Sequence, residues 1–191
     1  MKTLTPLAIV ILVLSGLFQG QPQKTPELGT SSERANTDRT RAAIAQQVHH
    51  ELAMLPYYGV FDWIEGQVTG TDTVVLRGQV TRPTTRSDAV NRVKKLESVA
   101  RVVNQIETLP PSPSDDAIRL AAYRAIFNYN GPLFRYSTGV SPPIHIIVKN
   151  GRITLRGSVA DKFDSQYAYT KARGVSGAFE VRNELRVEKG I

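Results

Sequence analysis

The chain has 191 residues, no cysteine, 41% hydrophobic residues and a formal net charge of +7. The missing cysteine excludes disulfides, thiol catalysis, cysteine-ligated zinc and the acylated cysteine of a bacterial lipoprotein. Charge is uneven: residues 40–109 hold 8 Lys/Arg against 7 Asp/Glu, whereas residues 115–189 hold 12 against 7, which suits an anionic partner or serves solubility alone.

Met1-Lys2-Thr3 precedes an apolar stretch from Leu4 to Phe18, broken only by Thr5, Pro6, Ser15 and Gly16. A lone Lys before a short apolar core reads as a signal peptide over residues 1–20, or an N-terminal anchor if it is not cleaved. The unbroken part, Leu7 to Leu14, falls well short of the ~20 residues that span a bilayer. Residues 21–37 are polar, with few large apolar side chains, and read as a flexible tether.

The rest of the chain repeats itself. Val74-Val75-Leu76-Arg77-Gly78-Gln79-Val80 returns 79 positions later as Ile153-Thr154-Leu155-Arg156-Gly157-Ser158-Val159. A period this long marks a duplicated small domain, since solenoid repeats are usually about 20–50 residues. Catalytic sites seldom come as tandem copies, whereas linked binding modules gain avidity.

The first module spans residues 38–109. Its opening helix has Asp38 or Thr40 as N-cap and Ile44, Val48 and Leu52 on one face. An aromatic segment follows, from Pro56 to Trp63, before the first strand. In the next strand Val74, Leu76, Gly78 and Val80 face one way, and Val75, Arg77 and Gln79 the other. A second helix carries Ala89, Val90, Val93 and Leu96, and Val102-Asn104-Ile106 mark a last strand. Residues 110–114 form a proline-rich spacer, stiff and polyproline-like.

The second module spans residues 115–188. Ser114 is the expected cap, with Asp115 and Asp116 in the first turn, where the helix dipole favours acids. Its helix stripe is Ile118, Ala122 and Ile126, 74 positions beyond its counterpart. The offset therefore grows by five, placing five extra residues around 137–143. Lys149-Asn150-Gly151-Arg152 predicts a tight hairpin, because Asn-Gly supplies positive φ angles. Ala168, Tyr169, Ala172 and Val175 make the second helix face, and Val181-Asn183-Leu185 the final strand. The predicted class is α+β: two tandem α-β-β-α-β modules, each a three-stranded mixed sheet with two helices on one face.

This order, with Leu76-Arg77-Gly78-x-Val80 and Val102-x-Asn104-x-Ile106 and their counterparts Leu155-Arg156-Gly157-x-Val159 and Val181-x-Asn183-x-Leu185, resembles the BON domain. Gly174-Val175-Ser176-Gly177-Ala178 is similar to the family's small-residue turn. The first module departs there, with Lys95-Leu96-Glu97-Ser98-Val99 lacking glycine. The resemblance covers residues 40–187. It implies a periplasmic or cell-envelope protein that contacts phospholipid or other envelope components, without enzymatic activity or cofactor. Gly78, Asn104, Gly157 and Asn183 are then structural motif positions.

Candidate contacts follow from residue chemistry. Tyr129, Phe134, Arg135 and Tyr136 suit a lipid interface, rings at the headgroup level and Arg135 at a phosphate, or else they close the end of a small core. Phe61, Trp63 and Phe127 are expected inside. Arg77 and Arg156 point away from the core, as anion contacts or as charges that keep the sheet face soluble. Asn104 and Asn183 have inward parity and are expected to be buried and hydrogen-bonded. His49 and His50 diverge on their helix, and His145 lies alone, so no metal site is expected. The expected partners are an anionic phospholipid membrane or an envelope protein, the latter through strand edges in a chaperone-like role. Neither a nucleic acid nor a small-molecule substrate is expected, and the sequence assigns no oligomeric state.

Overall fold

The structure, a computed structural model, describes residues 31–138 and 143–188. Helix α1 runs Ser31–Ala53, beginning seven residues before the expected cap at Asp38. No Gly or Pro interrupts this span, and a nucleated helix extends at little cost per residue. The tether expected over 21–37 is thus helical from Ser31. Its remainder, and the apolar segment 1–20, lie outside the described residues. Burial starts only at Ile44, followed by Val48 and Leu52.

Strands β1 (Trp63–Thr69) and β2 (Thr73–Val80), helix α2 (Pro83–Lys94) and strand β3 (Arg101–Thr108) complete the first module. The second repeats it with α3 (Pro113–Ile126), β4 (Ile144–Lys149), β5 (Arg152–Val159), α4 (Lys162–Arg173) and β6 (Glu180–Val187), adding a 3-10 turn at Pro132–Tyr136. Each sheet has its second strand in the centre, antiparallel to the first and parallel to the third. Each core lies between one sheet and its two helices, with Leu76, Val80, Ala89 and Val93 in one and Leu155, Val159, Ala168 and Ala172 in the other.

The register corrects the expected five-residue insertion. Ile64 faces Gly78 and Ile144 faces Gly157, so the first strands are offset by 80 positions and the second strands by 79. Six residues enter between helix and first strand, and the hairpin loses one. Gly70-Thr71-Asp72 in the first turn becomes Asn150-Gly151 in the second, both with positive φ, as a two-residue hairpin requires.

The matched glycines have a steric reason. Gly78 (φ +137°) and Gly157 (φ +113°) sit in a backbone region closed to other residues, and a Cβ there would lie 1.9 Å from the Trp63 carbonyl oxygen or 2.0 Å from that of Pro143. A second matched pair is solved in opposite ways. In the first module Val48 on the helix packs over Gly66, where a Cβ would lie 2.5 Å from Val48 Cγ1. The equivalent positions hold Ala122 and Ile146, so the bulk has moved from helix to strand.

Helix α3 starts earlier than expected. Ser112, not Ser114, is its cap, its hydroxyl accepting from the Asp115 N–H at 3.2 Å. Pro113 fits the first turn because its missing N–H would have no helical partner, so the spacer ends at Ser112. Asp115 does more than serve the helix end. Buried, it accepts from the Asn150 and Gly151 amides at 2.9 and 2.8 Å and locks the hairpin to the helix.

Asn104 and Asn183 are exposed rather than buried. They stand on edge strands, where inward parity does not guarantee cover by a helix. Each side-chain oxygen accepts from the amide two residues on, Ile106 at 3.0 Å and Leu185 at 3.2 Å. Asn183 also donates to Ser165 of α4. The motif asparagines thus satisfy edge amides from outside the core.

Replacing Gly66 with Ala should cost about 1–3 kcal/mol through overpacking against Val48. In a Val48→Ala background the same change should cost less, giving a coupling of at least about 1 kcal/mol in a urea-denaturation double-mutant cycle. Strict additivity would refute the packing assignment.

Candidate functional site

The segment between α1 and β1 packs on both modules, Leu55 and Tyr58 against the core of its own and Val60 and Phe61 against that of the other. Its shape is set by Asp62, buried, whose carboxylate accepts from the Thr81 amide at 2.6 Å, the Thr81 hydroxyl at 2.9 Å and the Gly59 amide at 3.3 Å. Tyr58 caps the outward amide of Ile64 at 3.1 Å. Burial pushes the Tyr58 hydroxyl up to about 12, so it stays protonated.

Held this way, the segment covers the outer edge of β4. The Ile146 amide donates to the Val60 carbonyl at 2.7 Å, and Val60 and Phe61 pack against the core of the second module. Phe61 meets Tyr123 edge-on at 6.2 Å between centroids, while Trp63 and Tyr58 lie 5.0 and 5.4 Å from the His145 ring. Ion pairs Lys149–Glu107 and Arg186–Glu65 also cross the junction. Phe61 and Trp63, expected inside, are part-buried at this junction, Phe61 against the second core and Trp63 against His145. Phe127 is buried in the second core.

His145, unremarkable in the sequence, is buried at the centre of this junction. Its Nδ1 lies 3.2 Å from the Gly59 carbonyl oxygen. Burial lowers its pKa below 6.5, and the Gly59 and Asp62 contacts oppose this only in part.

The four aromatic and basic candidates divide into two pairs. Arg135 and Tyr136 turn inward to Asp164, a buried residue in the first turn of α4. Arg135 forms an ion pair with it, and the Tyr136 hydroxyl donates to it at 2.6 Å while accepting from the Ala160 amide at 3.0 Å. The Tyr136 hydroxyl and then Asp164 hold the Arg135 guanidinium charged, its pKa raised further. Leu133, fully buried, pins the 3-10 turn below them.

Tyr129 and Phe134 form the outer pair, T-shaped at 4.9 Å, with Tyr129 79% exposed and Phe134 half-buried. Two residues of α4 extend this end. Phe163 is 64% exposed and 6.0 Å from Tyr167, and a Cβ on Gly131 would lie 3.1 Å from the Tyr167 hydroxyl. Lys171 lies over the Tyr167 ring at 5.2 Å. The signal for Phe163 was its spacing of four from Tyr167, one step off the buried stripe Asp164, Ala168 and Ala172. Rings with an apolar body and a polar rim, beside cations, suit a membrane–water boundary.

Of the four sheet edges, β4 is covered by Val60, and β3 and β6 each carry an asparagine cap on an outward amide. On β1 the Ile64 amide is taken by Tyr58. Among the described residues no helix is long and apolar enough to cross a membrane, and no group of three or more His, Asp or Glu could hold a metal.

Two docked α-β-β-α-β modules with open sheet faces define a tandem-module α+β protein. The BON domain family model matches residues 40–110 and 115–189, and the chain belongs to that family. BON domains are found in envelope and periplasmic proteins, and the family is generally non-enzymatic. No curated protein matches the chain. Among solved structures, similarity is found to the C-terminal domain of CdsD, the structural protein of the type III secretion system of Chlamydia trachomatis. Identity is 14% over 75% of this chain and 96% of that one, with a TM-score of 0.28. A second CdsD structure gives 13% over 78% and 93%, also at 0.28. At these TM-scores neither bears on the arrangement or function of this chain.

His145 gives a pH dependence of known sign. Between its lowered folded pKa and 6.5 the unfolded chain binds a proton that the folded protein does not. Its contribution is therefore complete above pH 6.5 and is lost as pH falls through that window. Thermal unfolding between pH 7.5 and 5.5 should show a smaller drop for His145→Gln than for the unsubstituted protein. Equal slopes would contradict the buried, neutral assignment.

Proposed function

We propose that this is a non-enzymatic, exported envelope protein that contacts anionic phospholipid through the aromatic end of its second module. The observation that carries the reading is the pair of exposed rings Tyr129 and Phe163, backed by the part-buried Phe134 and Tyr167, beside Lys171 and the Arg135–Tyr136–Asp164 network. Withdrawing an exposed Tyr or Phe ring from water contributes ~1–3 kcal/mol. A basic residue near an anionic leaflet contributes about 1 kcal/mol, screened by salt. The +5 of residues 115–189 thus acts together with the rings. Arg135 serves mainly to fix the turn, its charge being shared with Asp164.

Export is supported by the apolar segment 4–18 and by the envelope setting of the family. The competing reading, an envelope protein partner added at a strand edge, has less support because on each of the four edges one outward amide already has an acceptor within the chain.

Vesicle co-sedimentation of the chain without residues 1–20 tests this. Binding should appear with phosphatidylglycerol vesicles and not with phosphatidylcholine alone, and should weaken at least about tenfold as salt rises from ~0.05 to ~0.5 M. Tyr129→Ala with Phe163→Ala should weaken it about tenfold or more. Binding indifferent to both salt and these substitutions would sink the proposal, and absence of binding would move the reading to a protein partner.

A further inference from the structure

Three residues around one groove are poor choices for the local fold. The first is Arg82, at the N-cap of α2. Its side chain makes no capping bond, whereas Asp161, its counterpart 79 positions later, caps α4 by accepting from the Asp164 amide at 2.8 Å. A cation there also faces the positive end of the helix dipole, so Arg82 disfavours the helix on both counts. The second is Leu120, 49% exposed on α3 where the equivalent position of α1 holds Gln46. The third is Tyr57, which holds φ at +61° with its ring 77% exposed. A bulky side chain rarely adopts that region, and Gly or Asn would hold it with less strain.

The three converge. Arg82 lies over the Tyr57 ring at 5.1 Å, and Arg82 and Leu120 line a cavity of about 430 Å³ where the modules meet. Its apolar wall is completed by Phe61 and by the linker residues Leu109, Pro110 and Pro111. Asp116, the one acid lining it, is paired with buried Arg119. The exposed Arg82 guanidinium has neither an ion pair nor a hydrogen bond among the described residues. The groove thus sets an apolar recess beside one uncompensated cation, both open to solvent. Residues that break local rules at one place, without benefit to the fold, mark a functional surface.

A guanidinium matches a carboxylate bidentately. Exposed Tyr and Arg beside a pocket for an apolar side chain are the residue types that anchor protein partners. We propose that this groove docks a protein segment that seats an apolar side chain against Phe61, Pro111 and Leu120 and gives a neighbouring Asp or Glu to Arg82. A recess between modules admits a side chain, not the plane of a bilayer. It lies at the N-terminal half of α3, whereas Tyr129 lies beyond the C-terminus of that helix. The two surfaces are separate, and the proposal does not rest on the lipid contact.

The test uses blocked alanine peptides carrying Phe, with Glu next to it or two residues on. They are titrated into the full chain while the Leu120 methyl and Arg82 Nε–H resonances are followed. Both should shift and saturate, and Gln for Glu or Ala for Phe in the peptide should weaken binding about tenfold or more. Arg82→Asp and Leu120→Gln install the residues of the equivalent positions in the other module. Each should weaken peptide binding about tenfold or more. The midpoint of urea unfolding should meanwhile rise with Arg82→Asp and stay unchanged with Leu120→Gln. No saturable shift with any Phe–Glu peptide overturns the proposal, as does equal binding of the Phe–Gln peptide. A fall in the midpoint with both substitutions would assign the two residues to the fold and overturn it too. Shifts produced only by concentrating the chain, or only by phosphatidylglycerol vesicles, would assign the groove to a second copy or to the membrane and contradict it.

Discussion

One backbone hydrogen bond organises the molecule: the Ile146 amide, on the outer edge of β4, donates to the Val60 carbonyl of the other module. A three-stranded sheet has edge amides that need acceptors, and modules of about 70 residues have little core to spare. Here one need answers the other. The segment that closes the β4 edge also delivers Val60 and Phe61 to the second core, and sets Trp63 and Tyr58 against His145. Everything at the junction follows from that seating.

The two modules share a backbone and differ in how they satisfy it. The Thr81 amide is accepted by the Asp62 carboxylate, and the equivalent Ala160 amide by the Tyr136 hydroxyl. The position that holds Thr85 in α2 holds Asp164 in α4, buried in both, and Asp164 anchors the 3-10 turn that the first module lacks. In one copy the loop before the first strand became a docking element. In the other it became an exposed aromatic end. The division of labour between joining and contacting is thus written into equivalent positions.

Much of the fold was legible because its determinants are local. Alternation in Val74–Val80 and Ile153–Val159, the four-residue stripes of the helices and the Asn150-Gly151 turn each specify an element without reference to the rest of the chain. The motif glycines were legible as a pattern, though their cause, a carbonyl within 2.0 Å of any Cβ, was not. Parity assigned Asn104 and Asn183 to the helix side, where Asn183 does meet Ser165 of α4, but could not say that both side chains stay exposed at the sheet edge. Phe61 and Trp63 read as inward residues, but nothing local tells which module an inward ring will meet. His145 and Phe163 escaped for related reasons: the first matters only through docking, and the second only through the turn that Asp164 holds beside it.

The central claim is that the two modules form one unit, joined at the β4 edge. Amide hydrogen exchange at Ile146 in the full chain tests it most directly, because no partner within its own sheet protects that outward amide. The account predicts that Ile146 exchanges as slowly as the inner-strand amides of β5. Exchange at the rate of an exposed edge amide, with β5 still protected, would mean that the modules are not joined there and would contradict the account.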